Sequence, residues 1–349
     1  MKIMLSPQIV FNPDVKGICI DITRFGEKPI GYPTDHSYIS KEIIRIFKQH
    51  QESIKDAYLI IDSANEWWDP NPYIKSIIES GLIDKEKIRV RAGAKHDTLV
   101  PTEIIYTRLC NQRDWYDLLQ KENIDWKNIN VDQYFLSLAR IPKIPRARMM
   151  KLLLDHIPQH LKCSFGIIND TAFGNSIVQI ETTRRNYENC RALMHPHDIP
   201  IIIDQHETDN IESTIHPPNY EMYTCLCNLI METTIDHMFI TEKTYKAFAW
   251  HQIPIWWAGV GTVDEIRKLG FDTFDDLMYG HEYDIEKHPN VRMHKILKTV
   301  KKFINDNPDI NLLRQSIWSR LEANNKRLSE IVENDKLTYD NWDSVRLNL

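Results

Sequence analysis

Residues 231–274 read METTIDHMFITEKTYKAFAWHQIPIWWAGVGTVDEIRKLGFDTF, and this stretch decides the fold. Its pattern predicts a strand, a turn and a helix, followed by a second strand, turn and helix. Thr241 is a typical N-cap for a helix that runs to about Trp250. The apolar segment Ile253–Trp257 has the length and composition of a buried strand. Two βα units in succession indicate an α/β fold with a mostly parallel sheet.

The turn-to-helix junctions of this stretch carry residue types that suit phosphates and sugars. Free backbone N–H groups at a helix start attract an anion, and Lys243 adds a full positive charge there. Glu242, in the same turn, can accept hydrogen bonds from a pair of ribose hydroxyls. Gly259 lies in a short turn of small residues, where a backbone can approach a ligand. Thr262 and Glu265 have the spacing of a capping box for the next helix.

The same alternation extends outward from this stretch in the N-terminal direction. Short apolar runs alternate with helical repeats, so βα units are expected throughout. In the first half, the sequence predicts strands at Gly17–Ile22, Ala57–Asp62 and Lys87–Arg91 and helices at Lys41–Gln49 and Tyr73–Leu82. In the second half, it predicts strands at Gln133–Ala139, Cys163–Ile168, Ile199–Asp204 and Cys225–Met231 and a helix at Arg146–His156.

These series predict two Rossmann-like α/β domains facing a cleft, followed by a helical C-terminal tail. We expect one domain over residues 1–130, a second over residues 131–290, and helices over residues 291–349 that pack on both. The apolar positions of the tail fall on one helix face. They are Ile296, Leu297, Val300, Phe303, Ile304, Leu312, Leu313, Ile317, Leu321, Leu328 and Ile331.

Composition excludes several classes of protein. The chain has 349 residues, 42% of them hydrophobic and 26% charged, which is typical of a folded globular protein. A net charge of −6 argues against a generally basic nucleic-acid binder. There is no run of about 18 apolar residues to span a membrane, and the N-terminus is a poor signal peptide.

The cysteines point to a reducing compartment. Six are scattered among apolar neighbours, at Cys19, Cys110, Cys163, Cys190, Cys225 and Cys227. In a chain of this size without a secretion signal, we expect reduced, buried thiols and a cytoplasmic location.

Residues 231–259 resemble the donor-binding motif of fucosyltransferase-like glycosyltransferases, a GT-B family with two Rossmann-like domains. In that family a strand ends in Glu-Asn-Ser, a helix starts with aromatic-x-Thr-Glu-Lys, and a strand of the type Ile/Val-Pro-Ile/Val leads to a glycine. The matching residues here are Glu232, Thr233, Thr234, Phe239, Thr241, Glu242, Lys243, Ile253, Pro254, Ile255 and Gly259. Thr233 replaces the family's Asn, and Phe239 replaces its usual Tyr. Similar sequences are familiar from tailed phages and their bacterial hosts, so the resemblance implies the cytoplasm of a bacterium or of a phage-infected host.

A second segment, residues 134–154, resembles the opening strand and helix of the same family's donor domain. In the family, an arginine at this helix start binds the diphosphate. Arg146 and Arg148 are the candidates, and Arg140 at the end of the strand is a third. Guanidinium groups suit this role because they hold phosphate bidentately and stay charged.

The resemblance implies that residues 1–130 bind the acceptor and residues 131–290 bind the nucleotide-sugar donor. It also implies displacement at the anomeric carbon of a sugar, with a nucleoside diphosphate leaving. We expect an inverting reaction without a metal or cofactor, in which Lys243 and an arginine stabilise the leaving charge. A carboxylate of the first domain would deprotonate the acceptor hydroxyl. The candidates at predicted strand ends are Asp21, Asp62, Glu66 and Asp97. We favour Glu66, because Trp67 and Trp68 follow it and could stack on a sugar or base.

Two acceptors fit this chemistry: a glycan, and a hydroxymethylated base in viral DNA. The acidic net charge weighs against DNA, since phosphate contacts require many basic residues. A DNA acceptor would need one cleft-facing side to carry Arg89, Arg91, Lys95, Arg108 and Arg113.

Two other classes of protein remain as alternatives. One is a non-catalytic nucleotide or sugar-phosphate-binding module. The other is a metallohydrolase built on the histidine-rich segment with His195, His197, His206 and His216, near Asp204 and Glu207. That spacing matches no closed metal motif, so polar loop roles are favoured. His237, just before the Thr-Glu-Lys helix, is a further candidate to line the donor site.

Overall fold

The structure is a computed structural model that describes residues 9–12, 17–21, 58–63, 71–81, 83–92, 99–100, 102–104, 124–139, 141–166, 177–201, 220–232 and 234–343, with positions 41, 44, 45 and 48. The chain divides into two compact units: residues 1–108 with 333–349 form the first, and residues 109–332 the second. The sequence predicts the boundary near residue 130, whereas the compact units meet between residues 108 and 109. The strand at 133–139 falls in the second part of the chain in both cases.

A five-stranded sheet organises the first unit. Its strands lie side by side in chain order: β1 (Ile9–Asn12), β2 (Gly17–Asp21), β3 (Tyr58–Ser63), β4 (Ile88–Ala92) and β5 (Thr102–Ile104). β1 is antiparallel to β2, whereas the other neighbours are parallel. Helix α1 (Asn71–Glu79) connects β3 to β4 and buries Tyr73, Ile74 and Ile77 at helical spacing. The three predicted strands are therefore confirmed to within one residue. The helix predicted at Tyr73–Leu82 is confirmed, but it starts two residues earlier and ends three residues earlier than predicted.

Four parallel strands form the sheet of the second unit. They are β6 (Gln133–Ala139), β7 (Leu161–Phe165), β8 (Cys225–Met231) and β9 (Ile253–Trp257), in the spatial order β7-β6-β8-β9. Every residue of β8 and β9 is buried, as expected of strands enclosed on both faces of a parallel sheet. Three of these strands have the predicted bounds. The predicted α/β class is therefore confirmed.

Helices lie between these strands along the chain. They are α2 (Ile144–His156), α3 (Ile177–Met194), the single-turn α4 (Tyr220–Tyr223) and α5 (Glu242–Ala249), and a further helix, α6 (Thr262–Lys268), follows β9. The strand predicted at Ile199–Asp204 is described only to residue 201, and there Ile201 forms one isolated antiparallel bridge to Phe165. The predicted strand at Cys163–Ile168 begins earlier, at Leu161, and ends at Phe165.

The strand order creates a switch point between β6 and β8. From β6 the chain moves outward to β7, then returns to the other side of β6 to form β8 and β9. Loops that leave neighbouring strands in opposite directions open a crevice at the carboxyl ends of those strands, where α/β proteins bind ligands. The segments that follow β6 and β8 therefore define the edge at which a functional site is expected.

Three helices close the described chain: α7 (Pro289–Asp306), α8 (Ile310–Ser316) and α9 (Trp318–Asp343). On α7, Ile296, Val300 and Phe303 are fully buried, as the helical periodicity predicts. Leu312, predicted to join this apolar face, is instead 63% exposed on α8. No helix in the described ranges is both long enough and apolar enough to cross a lipid bilayer.

Four cysteines whose side chains the structure describes are buried and unpaired: Cys163, Cys190, Cys225 and Cys227. Burial raises the pKa of the Cys163 and Cys225 thiols to about 12. These side chains are therefore neutral core residues at physiological pH, as the sequence predicts for them.

Candidate functional site

Glu232 follows β8 directly, and its carboxylate organises the loop that leads to α5. The residue is 1% exposed. One carboxylate oxygen accepts hydrogen bonds from the Thr241 backbone N–H at 3.0 Å and from the Thr244 hydroxyl at 3.1 Å. The other accepts from the Thr241 hydroxyl at 2.6 Å. Three donors stabilise a buried charge that would otherwise be unfavourable. Glu232 therefore fixes the start of α5 through its own side chain.

Thr241, Glu242 and Lys243 form the first turn of α5 with the predicted capping. The Thr241 hydroxyl accepts from the Lys243 backbone N–H at 3.4 Å, so Thr241 is the N-cap. The Lys243 ammonium donates to the Thr241 hydroxyl at 3.1 Å and to a Glu242 carboxylate oxygen at 2.9 Å. Burial works to raise the pKa of Glu242, but the charges of Lys243 and Lys246 outweigh it and lower that pKa to about 2. The helix start therefore carries a charged pair.

Arg146 brings a second cation to the same edge of the sheet. It lies in the first turn of α2, just beyond β6, and is 4% exposed. Its Nε donates to the backbone carbonyl of Glu232 at 3.2 Å, which bridges the two sides of the switch point. Within the described ranges its terminal nitrogens form no hydrogen bond or ion pair. Burial lowers the pKa of Arg146, and the negative charges of Glu232 and Glu242 act in the opposite direction.

The three candidate arginines of the sequence differ in position. Arg148 is exposed on α2, two residues beyond the buried Arg146. Arg140 lies outside the described residues. A cation in the first turn of a helix is unfavourable with respect to the helix dipole, so a buried Arg146 is not explained by α2 alone.

Gly259 is required by the protein's own backbone. A Cβ on this residue would lie 2.3 Å from the His237 carbonyl oxygen and 2.7 Å from the Met238 nitrogen. The sequence suggests a turn that a ligand could approach, whereas here the chain segment before α5 occupies that space. His237 itself is exposed. The glycine thus packs the turn after β9 against the loop after β8.

The predicted capping box of Thr262 and Glu265 is wrong. Gly261 is the N-cap of α6, with a left-handed φ of 80°, and Thr262 is the first helical residue. Glycine has no side chain to cap with, and a carboxylate oxygen of Asp284 instead accepts from the Val263 N–H at 3.1 Å. Burial raises the pKa of Asp284 to about 6, although backbone N–H donors favour its charged form.

The candidate bases lie on the first unit's sheet or outside the described residues. Asp21 and Asp62 are in-register neighbours at the carboxyl ends of β2 and β3, and Asp62 is in register with Arg91 of β4. Parallel register therefore brings two of the predicted carboxylate positions together. Glu66 and Asp97 lie outside the described residues, as do Trp67 and Trp68.

The histidine-rich segment is described in part. His197 lies 2.7 Å from a carboxylate oxygen of Asp155, and this hydrogen bond lowers the pKa of Asp155. His195 is exposed, while His206 and His216 lie outside the described residues. Among the residues that are described, no group of three or more His, Cys, Asp or Glu side chains is placed to hold a metal ion.

Arg292 is a buried cation that the sequence motifs did not indicate. It lies in the first turn of α7, is 2% exposed, and packs 5.2 Å from the centre of the Trp257 ring. One terminal nitrogen donates to the Ile235 carbonyl at 3.1 Å, in the loop between β8 and α5. Its spacing could have indicated its burial, because Arg292 lies four residues before Ile296 and therefore on the apolar face of α7.

Comparison with known proteins gives no match to this chain among protein-family models, curated proteins or solved structures. Function therefore has to be inferred from the chemistry of this site.

Proposed function

We propose that the second unit binds the donor of a glycosyltransferase that moves a sugar from a nucleotide-sugar to a hydroxyl acceptor. The observation that supports this most strongly is the guanidinium of Arg146, buried at the switch point with its terminal nitrogens unpartnered among the described residues. Glu232 and Glu242 attract this buried charge, but no described group bonds its terminal nitrogens, so the site favours an anionic ligand that can do so. A planar guanidinium fork matches the paired oxygens of a phosphate.

The start of α5 supplies the complementary part of the proposed donor site. Its free N–H groups and Lys243 would bind the diphosphate, and Glu242 would accept from the ribose hydroxyls. The low pKa of Glu242 keeps its carboxylate an acceptor at neutral pH. Glu232 and Gly259 would not contact the donor. Their contacts position the loop from which α5 begins.

The proposed reaction is an inverting displacement that needs no metal. Negative charge develops on the leaving diphosphate, and Arg146 and Lys243 stabilise it from fixed positions. A carboxylate would take the proton of the acceptor hydroxyl, with Glu66 as the leading candidate and Asp62 and Asp21 as alternatives. The acceptor is a glycan or a hydroxymethylated base in viral DNA, and the two are separated by their salt dependence. Only a DNA acceptor requires activity to fall steeply as salt rises.

Arg146→Gln, compared with Arg148→Gln, tests the donor site. Both variants remove one positive charge from α2, but only Arg146 touches Glu232. Calorimetric titration with UDP, GDP, ADP and CMP identifies the nucleotide that the wild-type protein binds. We expect Arg146→Gln to weaken binding of that nucleotide about ten- to hundredfold, the loss of a charge-assisted hydrogen bond, and Arg148→Gln to leave it unchanged.

Equal affinity in the wild type and Arg146→Gln would contradict the proposed donor site. Release of the sugar from the corresponding nucleotide-sugar then distinguishes an enzyme from a binding module. A transferase hydrolyses its donor slowly when water replaces the acceptor. Binding with no release of sugar, in the presence of glycan or DNA acceptors, would favour the non-catalytic module instead.

A further inference from the structure

Trp257, the last residue of β9, contacts the segments that follow β6 and β8. The residue is 2% exposed. Its indole N–H donates to the Pro145 carbonyl at 3.2 Å, across 112 positions of sequence. The Trp257 backbone carbonyl accepts from the Glu232 N–H at 3.1 Å. One residue thus holds the start of α2 and the residue after β8 against the end of β9.

Arg146 closes these contacts into a ring. It follows Pro145 in the chain, and its Nε donates to the Glu232 carbonyl at 3.2 Å. The ring runs from the Trp257 indole to Pro145 and through the backbone to Arg146. From there it passes to Glu232 and returns to Trp257. Three hydrogen bonds therefore link the ends of three neighbouring strands, and no member can move without lengthening one of them.

The ring determines the direction of the Arg146 guanidinium. Nε is the one nitrogen of that group for which the described chain provides a partner. The N–H donors of a guanidinium lie in one rigid plane, so a bond at Nε also sets the direction of the two terminal nitrogens. Donors that are fixed before the ligand binds stabilise a developing negative charge better than mobile ones. The value of Arg146 to a diphosphate therefore depends on what holds the backbone of α2 at this point.

A second contact restrains the indole of Trp257. The Arg292 guanidinium packs 5.2 Å from the centre of the Trp257 ring. Arg292 is itself buried and donates to the Ile235 carbonyl at 3.1 Å. The indole is therefore confined by packing as well as by its N–H bond. A side chain that is locked in this way can hold its acceptor in place.

Two other tryptophans of the second unit serve as comparisons. The neighbouring Trp256 is 1% exposed, but its indole N–H donates to the Thr244 hydroxyl on α5, at 3.1 Å, and not to α2. Trp250 is 2% exposed, and its indole N–H has no hydrogen-bond partner among the described residues. Replacing Trp250 removes a buried indole without removing such a bond, which makes it the control for Trp257.

We propose that Trp257 is a positioning residue of the donor site, whose indole N–H holds the start of α2 so that the Arg146 fork meets the diphosphate. The inference rests on the proposed function and adds a residue of β9 that the resemblance motifs do not contain. Trp257 itself would not contact the ligand. Its effect on binding therefore requires Arg146, and it concerns the phosphates and not the nucleoside.

A double-mutant cycle in ligand affinity tests this dependence. The proteins are the wild type, Trp257→Phe, Arg146→Gln and the double variant, with Trp250→Phe as the control. Trp257→Phe removes the N–H and keeps an aromatic ring for Arg292. Pyrophosphate, the nucleoside diphosphate that the wild type binds most tightly, and the nucleoside alone are titrated by calorimetry.

The cycle separates positioning from a general effect on packing. We expect Trp257→Phe to bind pyrophosphate and the diphosphate about three- to tenfold more weakly, as for the loss of one hydrogen bond. Nucleoside affinity should not change. In the Arg146→Gln background the same substitution should cause no further loss, because the group that it positions is already gone. Trp250→Phe should bind all three ligands like the wild type.

An unfolded Trp257→Phe would leave a second variant for the same cycle. Benzothienylalanine incorporated at position 257 replaces the indole N–H with sulfur and preserves the shape of the side chain. Urea denaturation of every variant verifies that affinities are compared between folded proteins.

Three results would overturn the inference while leaving the donor site intact. Wild-type pyrophosphate affinity in Trp257→Phe, or in the benzothienylalanine protein if that variant is unfolded, would exclude a role for the N–H. An equal loss with and without Arg146, or an equal loss in Trp250→Phe, would show that only general packing is disturbed. A wild-type protein that binds neither pyrophosphate nor any nucleoside diphosphate would instead remove the proposed function together with this inference.

Discussion

At the scale of the residue, Glu242 and a bound diphosphate would compete for the ammonium group of Lys243. Its ammonium pairs with Glu242 at 2.9 Å, and both side chains are partly exposed, at 25% and 21%. A diphosphate offers a stronger negative charge than one carboxylate, so binding would draw the ammonium away from Glu242. Glu242 would then be available to the ribose hydroxyls. The pair is therefore suited to exchange partners when the donor binds.

Lys243→Ala should weaken nucleoside diphosphate binding about ten- to hundredfold and leave the fold intact, because it removes a charge-assisted contact. Stability should change by no more than about 1 kcal/mol, since a partly exposed ion pair contributes little. Lys268→Ala is the control, because it removes one lysine of an ion pair at the end of α6, away from Glu242. Calorimetric titration of the three proteins measures the effect, and undiminished affinity in Lys243→Ala would remove it from the site.

The sequence predicted part of this site and not the rest, for reasons that differ by residue. Glu232, Thr241 and Lys243 are close in sequence, so a local motif could indicate their proximity. Arg292 is about 50 residues beyond that motif, and only packing of α7 against the sheet edge brings it there. The sequence could not decide between Arg146 and Arg148, because that choice depends on which face of α2 is buried.

At the scale of the element, the turn after β9 and the loop after β8 depend on one another. Gly259→Ala would place a methyl group 2.3 Å from the His237 carbonyl, and one of the two segments must move. We expect a loss of roughly 2–3 kcal/mol in the free energy of unfolding, because backbone yields less readily than a side chain. Nucleoside diphosphate affinity should fall as well, since the displaced loop carries the start of α5.

Gly280→Ala is the control for Gly259→Ala. Gly280 has a left-handed φ of 67° and open space where a methyl group would lie, so it tests backbone strain without a clash. Gly280→Ala should lower the free energy of unfolding by about 1 kcal/mol and leave nucleotide affinity unchanged. Urea denaturation and calorimetry measure both quantities. If Gly259→Ala matched Gly280→Ala in both the free energy of unfolding and nucleotide affinity, the packing of the two loops would not position α5.

Asp284 makes the stability of the α6 start dependent on pH. Because burial raises its pKa from 3.8 to about 6, the folded protein binds this proton more tightly than the unfolded chain does. Asp284 therefore lowers the free energy of unfolding as pH rises from about 4 to about 6, by on the order of 2–3 kcal/mol. Asp284→Asn keeps an acceptor oxygen and should remove this slope. Urea denaturation of both proteins across that range checks it, and identical slopes would contradict the shift.

The start of α6 also shows where local sequence rules give way to tertiary contacts. Thr262 and Glu265 have the right spacing for a capping box, but Gly261 takes the N-cap position in a left-handed conformation. Asp284, 21 positions along the chain from Val263, supplies the acceptor instead. By contrast, β6, β8 and β9 are predictable, because each is an apolar run bounded by polar or turn-forming residues.

At the scale of the whole molecule, the order β7-β6-β8-β9 turns separate motifs into one site. Sequence indicates parallel strands, but hydrogen-bonded neighbours and register emerge only in the fold. Because β6 and β8 are adjacent, the start of α2 and the loop before α5 meet at the carboxyl ends of these two strands. The contact between Arg146 and Glu232 there joins residues 86 positions apart in sequence. Two cationic helix starts at one switch point are the arrangement expected for a diphosphate.

A crystal structure with the nucleoside diphosphate that binds most tightly tests the central claim most directly. The account predicts the two phosphates between the Arg146 guanidinium and the Lys243 end of α5, with the ribose near Glu242. A nucleotide bound elsewhere on the protein, with the Arg146 fork still unpartnered, would contradict it.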